Sequence, residues 1–272
     1  MDKVKIKLVS IGHLPLEFNQ KKIKKFSSSL FEVSEFYNHK LQCNSDGFDW
    51  EFSDELVRDQ MPNLDGADFM IAIVNVPLED NWYSRIISNN KIVFTFYEIK
   101  EILLNSNIPL ENVIYRILIA YTLAYKRYEK NIPKLHEVNL IHDETRGCIF
   151  DMNGIKYDIV SSCHYPIICD DCKIEITKKL VSDNEIELAK KDIKKIRKDL
   201  YFRILDKIKS HPIWALFLSS LFAYFLGFSG SITGSYVFDL LKSDEVQQLD
   251  IGSTGQPAVS GKKTPTQQPT IN

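Results

Sequence analysis

Apolar and polar positions fall into blocks of different period along the chain. Residues 3–11 alternate and then turn apolar, which predicts a strand. Residues 19–30 carry lysines on one side and read as a helix, and the stretch 31–43 is ambiguous, with room for a second strand. Ser53, followed by Glu55, caps a short helix over 53–61. Residues 67–76 form an unbroken apolar run, the mark of a central strand covered on both faces, and 91–96 form another. Residues 110–128 read as a long apolar helix opened by Pro109. Glu111, Arg116 and Lys126 leave it too short an uncharged stretch for a membrane span, so it is expected in a core. Strand, helix, strand, strand, helix predicts an α/β fold: a mixed sheet with flanking helices.

Past residue 181 the pattern changes. Residues 183–209 are densely charged, with Ile186, Leu188, Ile193, Ile196, Leu200 and Ile204 at near-helical spacing. This predicts a charged helical stalk over 183–211, either solvated or pairing with itself or with the domain. Residues 212–238 then contain no charged side chain. About 20 residues at 1.5 Å each cross the hydrocarbon core, so one C-terminal transmembrane helix is expected over 212–241. Ala223, Gly227, Gly230, Ser231 and Gly234 are small enough for two such helices to approach closely, and self-association through the span is expected. Lysines and arginines crowd the upstream side, including Lys194, Lys195, Arg197, Lys198, Arg203 and Lys207, whereas Lys242 faces Asp239, Asp244 and Glu245 downstream. The positive-inside rule then makes this a single-pass protein of the inner or plasma membrane with its N-terminal domain in the cytoplasm. Residues 242–272 are rich in Gly, Ser, Thr, Pro and Gln and read as a disordered tail.

Composition adds exclusions. The 272 residues suffice for one or two domains, and a net charge of −2 removes any reason to expect nucleic acid as a partner. No signal peptide is expected at the start, where the first residues are charged and the apolar run is short.

The chemistry concentrates in residues 142–172, which hold four of the five cysteines. Asn153-Gly154, between the runs 148–152 and 155–160, predicts a two-residue hairpin with Met152 facing Ile155 and Cys148 opposite Ile159. That pairing puts Cys148 and Cys163 towards the same end. Cys169-x-x-Cys172 opens an expected helix over 173–180. A Cys-x-x-Cys turn at a helix start offers two thiolates to one cation, and structural zinc is closed by four thiolate or imidazole donors. Cys148, Cys169 and Cys172 are three expected ligands; the fourth is His142, Cys163 or His164, and the spacing does not choose. Asp143 and Arg146 are expected to brace the zinc loop from behind its ligands. The expected order is an α/β domain over 1–130, a zinc-bound hairpin and Cys-x-x-Cys module over 131–182, the stalk, the span and the tail.

Lys5-Ile6-Lys7-Leu8-Val9-Ser10-Ile11-Gly12 resembles the first strand of archaemetzincin-type zinc metalloproteases, whose members carry HExxHxxGxxHCxxxxCxM and a later Cys-x-x-Cys. His142, Asp143, Cys148 and Phe150 stand at the His, first Cys, second Cys and Met of that segment, and Cys169 and Cys172 match the later pair. Ile132, Pro133 and His136 occupy the positions of the catalytic HExxH, so the first ligand and the glutamate base are missing. Ligand, hairpin, Cys-x-x-Cys and helix in that order are also similar to a treble-clef zinc finger. The expectation is therefore a membrane-anchored, non-enzymatic zinc protein that senses or binds a cytoplasmic protein or ligand. A membrane-anchored zinc peptidase using His136, Glu137 and His142, and a bacterial membrane-targeting effector whose spans cluster, are the alternatives.

Overall fold

The structure, a computed structural model, describes residues 2–133, 142, 145–151 and 154–250. Its sheet has five strands. Strand β1 (Val4–Ile11) is followed by helix α1 (Gln20–Lys25), β2 (Phe31–His39), helix α2 (Asp54–Gln60), β3 (Phe69–Val74), β4 (Ser84–Ser88) and β5 (Lys91–Thr95). The spatial order is β2-β1-β3-β5-β4, with β4 antiparallel to β5 and every other pairing parallel. Along β3, Phe69, Ile71 and Ile73 enter one apolar cluster while Met70, Ala72 and Val74 enter the other. A strand with no solvent face must be apolar throughout, which is why the run 67–76 carries no charged residue between Asp68 and Val76.

The smaller cluster lies under α2, which contributes Val57 and ends at Met61. Ser53 accepts the Leu56 N–H at 3.2 Å and caps that helix, as its sequence predicts. On the other face lie α1, a short helix α3 (Ile99–Asn105) and the long helix α4 (Glu111–Arg127). Helix α4 is a core helix. Val113, Ile114, Ile117, Leu118, Ile119 and Leu123 are all buried, and each such side chain contributes about 1.5–3 kcal/mol.

Helix α1 is shorter than its basic stripe suggested. Ser28 Oγ accepts the N–H groups of Leu30 and Phe31 and donates to Asp192 Oδ2 at 2.6 Å, an alternative to helical bonding that starts β2 instead. Strand β4 was not anticipated. It runs back along β5 through Asn89-Asn90, with Ser88 opposite Lys91 and Asn90 at φ 58°.

The segment after α4 joins the same core. A four-residue turn of helix, α5 (Ile159–Ser162), helix α6 (Asp170–Thr177) and helix α7 (Asp183–Ile193) follow. Ile149, Ile159, Ile168, Ile176, Ile186 and Ile193 share one cluster with the sheet and α4. The described residues up to Ile204 thus fall in one compact unit, and its core cluster includes residues on both sides of 130 and of 182.

Helix α7 is not a solvated stalk. Its stripe of Ile186, Ala189 and Ile193 is buried, a Ser182–Glu185 capping box starts it, and Lys126 of α4 donates to Glu185 at 2.9 Å. The single expected helix is broken at 194–199, where Ile196 turns into the core. The Ile196 carbonyl accepts Tyr165 N–H at 3.0 Å, and Lys198 N–H donates to His164 Nδ1 at 3.1 Å. These bonds replace the helical ladder that the break gives up.

Helix α8 (Leu200–Ser210) begins beyond the break, and helix α9 (Pro212–Asp250) follows it. Within α9, Pro212–Asp239 is 28 residues long, with a mean hydropathy of 1.6 in its most apolar window and no buried share there, long and apolar enough to cross a membrane.

Candidate metal centre

The centre starts from a turn. Cys148 N–H donates to Thr145 O at 3.1 Å, and Gly147 between them adopts φ 89°, a conformation that favours glycine. Residues on either side of Cys148 then bond residue 167: Ile167 N–H donates to Gly147 O at 2.8 Å, and Ile149 N–H donates to Ile167 O at 2.9 Å. This short parallel bridge carries the chain from Cys148 to within two residues of Cys169. Cys169 is the N-cap of α6, and its sulfur accepts Cys172 N–H at 3.4 Å. A second isolated bridge pairs His142 with Asp151.

Together these pairings place His142, Cys148, Cys169 and Cys172 with one ligand atom each, all within 4.8 Å of one another. His142 Nε2 lies 3.1 Å from Cys172 Sγ and 3.4 Å from Cys169 Sγ, and the sulfurs of Cys148 and Cys172 are 3.9 Å apart. A tetrahedral metal with sulfur bonds of about 2.3 Å spaces its sulfurs by about 3.8 Å. The four side chains therefore form a closed donor set that could hold one metal ion.

Without a cation, three thiols in so small a space share their protons unequally. The hydrogen bond from Cys172 draws the Cys148 thiol down to about 4, against burial and with help from backbone bonds of Cys169 and Phe150. Cys172 is pushed up, first because it donates to Cys148 and then by burial; Cys169 is pushed up by burial. A bound cation reverses this, because thiolate is the ligand and metal uptake releases the protons.

Of the three candidates for the fourth position, the structure brings His142 into the cluster. Cys163 is fully buried elsewhere, and burial raises its thiol to about 12 while Arg116 opposes the rise. His164 spends Nδ1 on the Lys198 amide. Arg146 does not brace a ligand; its exposed guanidinium pairs through Nε with Asp158 at 3.4 Å. Asp143, His136, Glu137 and Asn153 lie outside the described residues.

The expected hairpin is a correction. Residues 155–160 alternate in sequence, but Lys156–Asp158 is a 3-10 turn and Ile159–Ser162 is helical. Cys148 pairs with Ile167 rather than Ile159. Ile159 and Cys163 are buried in the cluster that contains α4, while Ile155 and Tyr157 stay exposed, so core contacts override the local period.

Two side chains of α4 that bond the backbone of the cysteine-bearing segment were not anticipated. Asn112 and Arg116 are four residues apart on α4 and so share a face. Asn112 Nδ2 donates to Cys163 O at 2.9 Å; Arg116 donates through Nη1 to Tyr83 OH at 3.2 Å and through Nη2 to Asp151 O. Arg116 is 2% exposed, and among the described residues its Nε has no partner. A lone arginine inside an apolar helix is the signal that could have marked it, since a guanidinium is buried only where acceptors meet it.

A scan against protein-family models, a search of curated proteins and a search of solved structures each return no match to this chain.

Proposed function

We propose that this chain is a membrane-anchored zinc protein. In this reading the metal is structural, the α/β domain binds or senses a cytoplasmic protein or small ligand, and the C-terminal span carries that state to the membrane. The observation that carries the reading is the closed donor set of His142, Cys148, Cys169 and Cys172. Catalytic zinc keeps one position open for water or substrate, whereas four protein donors fill the tetrahedron. Three thiolates and one imidazole favour zinc over the harder cations, which prefer oxygen. Cytoplasmic placement of the domain is supported by the lysine and arginine excess before Pro212 and by the absence of disulfides among the described cysteines.

The first test is composition and coordination. The full chain, purified in detergent, is expected to carry one zinc per chain by elemental mass spectrometry. X-ray absorption should give sulfur donors in excess of nitrogen with no oxygen. A water oxygen in the coordination shell would revive the hydrolase reading, and a metal-free chain would end both.

Association of spans belongs to the same proposal. Cβ atoms added at Gly227, Gly230 or Gly234 meet nothing within 4 Å, so these glycines present open backbone to a partner helix. Gly230→Leu with Gly234→Leu should weaken crosslinked oligomers in membranes without impairing insertion; equal crosslinking in wild type and variant would refute a glycine contact.

A further inference from the structure

Helix α8 is separated from the candidate span by a single residue, His211. Its 11 residues rise only about 16 Å at 1.5 Å each. If Pro212–Asp239 crosses a bilayer, the whole of α8 is tethered within that distance of the headgroups.

Its two faces suit that position. At 3.6 residues per turn, Leu200, Tyr201, Ile204, Leu205 and Ile208 fall within an arc of about 140°. Leu200, Tyr201, Ile204 and Ile208 are 63%, 69%, 49% and 47% exposed, so this apolar face is uncovered. Asp206 lies opposite its centre, with Arg203, Lys207 and Lys209 around the polar side; Lys207 and Lys209 are exposed, whereas Arg203 is half-buried and donates through Nη1 to Tyr165 OH at 3.4 Å. An exposed apolar stripe flanked by basic residues is the pattern of a helix lying in the membrane interface. The joint permits it. Pro212 has no N–H to give the Ile208 carbonyl, so the hydrogen-bond ladder is interrupted where α8 meets α9.

We propose that α8 is an interfacial helix. It seats Leu200, Tyr201, Ile204 and Ile208 at the headgroup–acyl boundary of the leaflet that the span enters, and it places the exposed Lys207 and Lys209 on anionic lipid. The proposal rests on the reading of residues 212–239 as a span. A lipid surface is the occupant because the chain's own tether supplies it, and because the exposed Lys207 and Lys209 complement anionic headgroups.

The test uses the full chain in vesicles of phosphatidylcholine, with or without phosphatidylglycerol. Benzoylphenylalanine is placed in turn at Ile204, Ile208 and, on the opposite face, Asp206. Lipid adducts at 204 and 208 are expected to exceed those at 206 severalfold, and phosphatidylglycerol should raise them. In Lys207→Gln with Lys209→Gln the gain from phosphatidylglycerol should fall, by about fivefold for each charge removed. Equal adducts at all three positions, or adducts to protein in place of lipid at 204, would overturn the proposal while leaving the span intact. Release of the chain by alkaline carbonate would instead overturn the span and this proposal together.

Discussion

Replacing Cys172 with serine is expected to strip the protein of its metal and to destabilise the α/β domain as a whole. Serine at that position offers a hydroxyl that ionises far less readily than a thiol, so one corner of the tetrahedron is lost. Structural zinc supplies about 10–16 kcal/mol in small zinc-dependent folds, against a typical domain stability of about 5–15 kcal/mol. Only part of that is carried over here, because the sheet has a large core of its own. The loss still spreads, since Cys148, Cys172 and Ile176 belong to the same cluster as the central strands. We expect a drop of several kcal/mol, read from urea midpoints, together with the absence of zinc. Cys163→Ala is the matched control. Cys163 is as deeply buried but is not a donor, so that variant should keep its zinc and lose about 1–2 kcal/mol. Full zinc content and an unchanged midpoint in Cys172→Ser would sink the model, as would loss of zinc in Cys163→Ala.

Arg116 is expected to be the most costly single truncation on α4. Arg116→Ala leaves Tyr83 OH and Asp151 O short of a donor in a buried place and opens a cavity. Each orphaned polar group costs about 1–3 kcal/mol, and the cavity adds to that, so a loss of about 3–5 kcal/mol is expected. Arg116→Met fills most of the volume and removes the buried charge, and should recover part of the loss. Because Asp151 N–H donates to Cys148 O at 3.1 Å, the turn that Arg116 holds is the turn that presents Cys148. Both variants should therefore release zinc to a chelator faster than wild type. Stability within about 0.5 kcal/mol of wild type and unchanged zinc transfer would show that the buried guanidinium supports nothing.

The misreadings were of one kind. Asn153-Gly154 carries the stronger hairpin signal, yet the two-residue hairpin within the sheet lies at Asn89-Asn90. Turn chemistry shows where a chain can reverse; it does not show whether the flanking runs find a sheet. Strand β4 has β5 beside it, whereas residues 155–162 pack as short helical turns in the core cluster with α4. The charged run 183–209 misled similarly. Its apolar stripe marked a helix, but the break at 194–199 contains neither Gly nor Pro and is held by His164 and Tyr165, some 30 residues upstream.

What the sequence determined by itself is local in its physics. Short apolar runs mark buried strands and a long one interrupted by charges marks a core helix; β3, β5 and α4 lie where those runs are, and β1 lies on the alternating stretch at the start. Sulfur and imidazole clustering is a matter of donor chemistry, and it limited the candidate metal ligands to six side chains before any fold was known. An uncharged stretch of span length is a matter of composition. The tertiary structure decided what depends on distant partners. It brought His142 to Cys169 and Cys172 through the bridges to Asp151 and Ile167, sent Cys163 and His164 to other duties, and docked α7 on α4. Donor atoms must meet within about 4 Å for one cation to hold them, and residues 30 apart in sequence reach that distance only through the packing of everything between them.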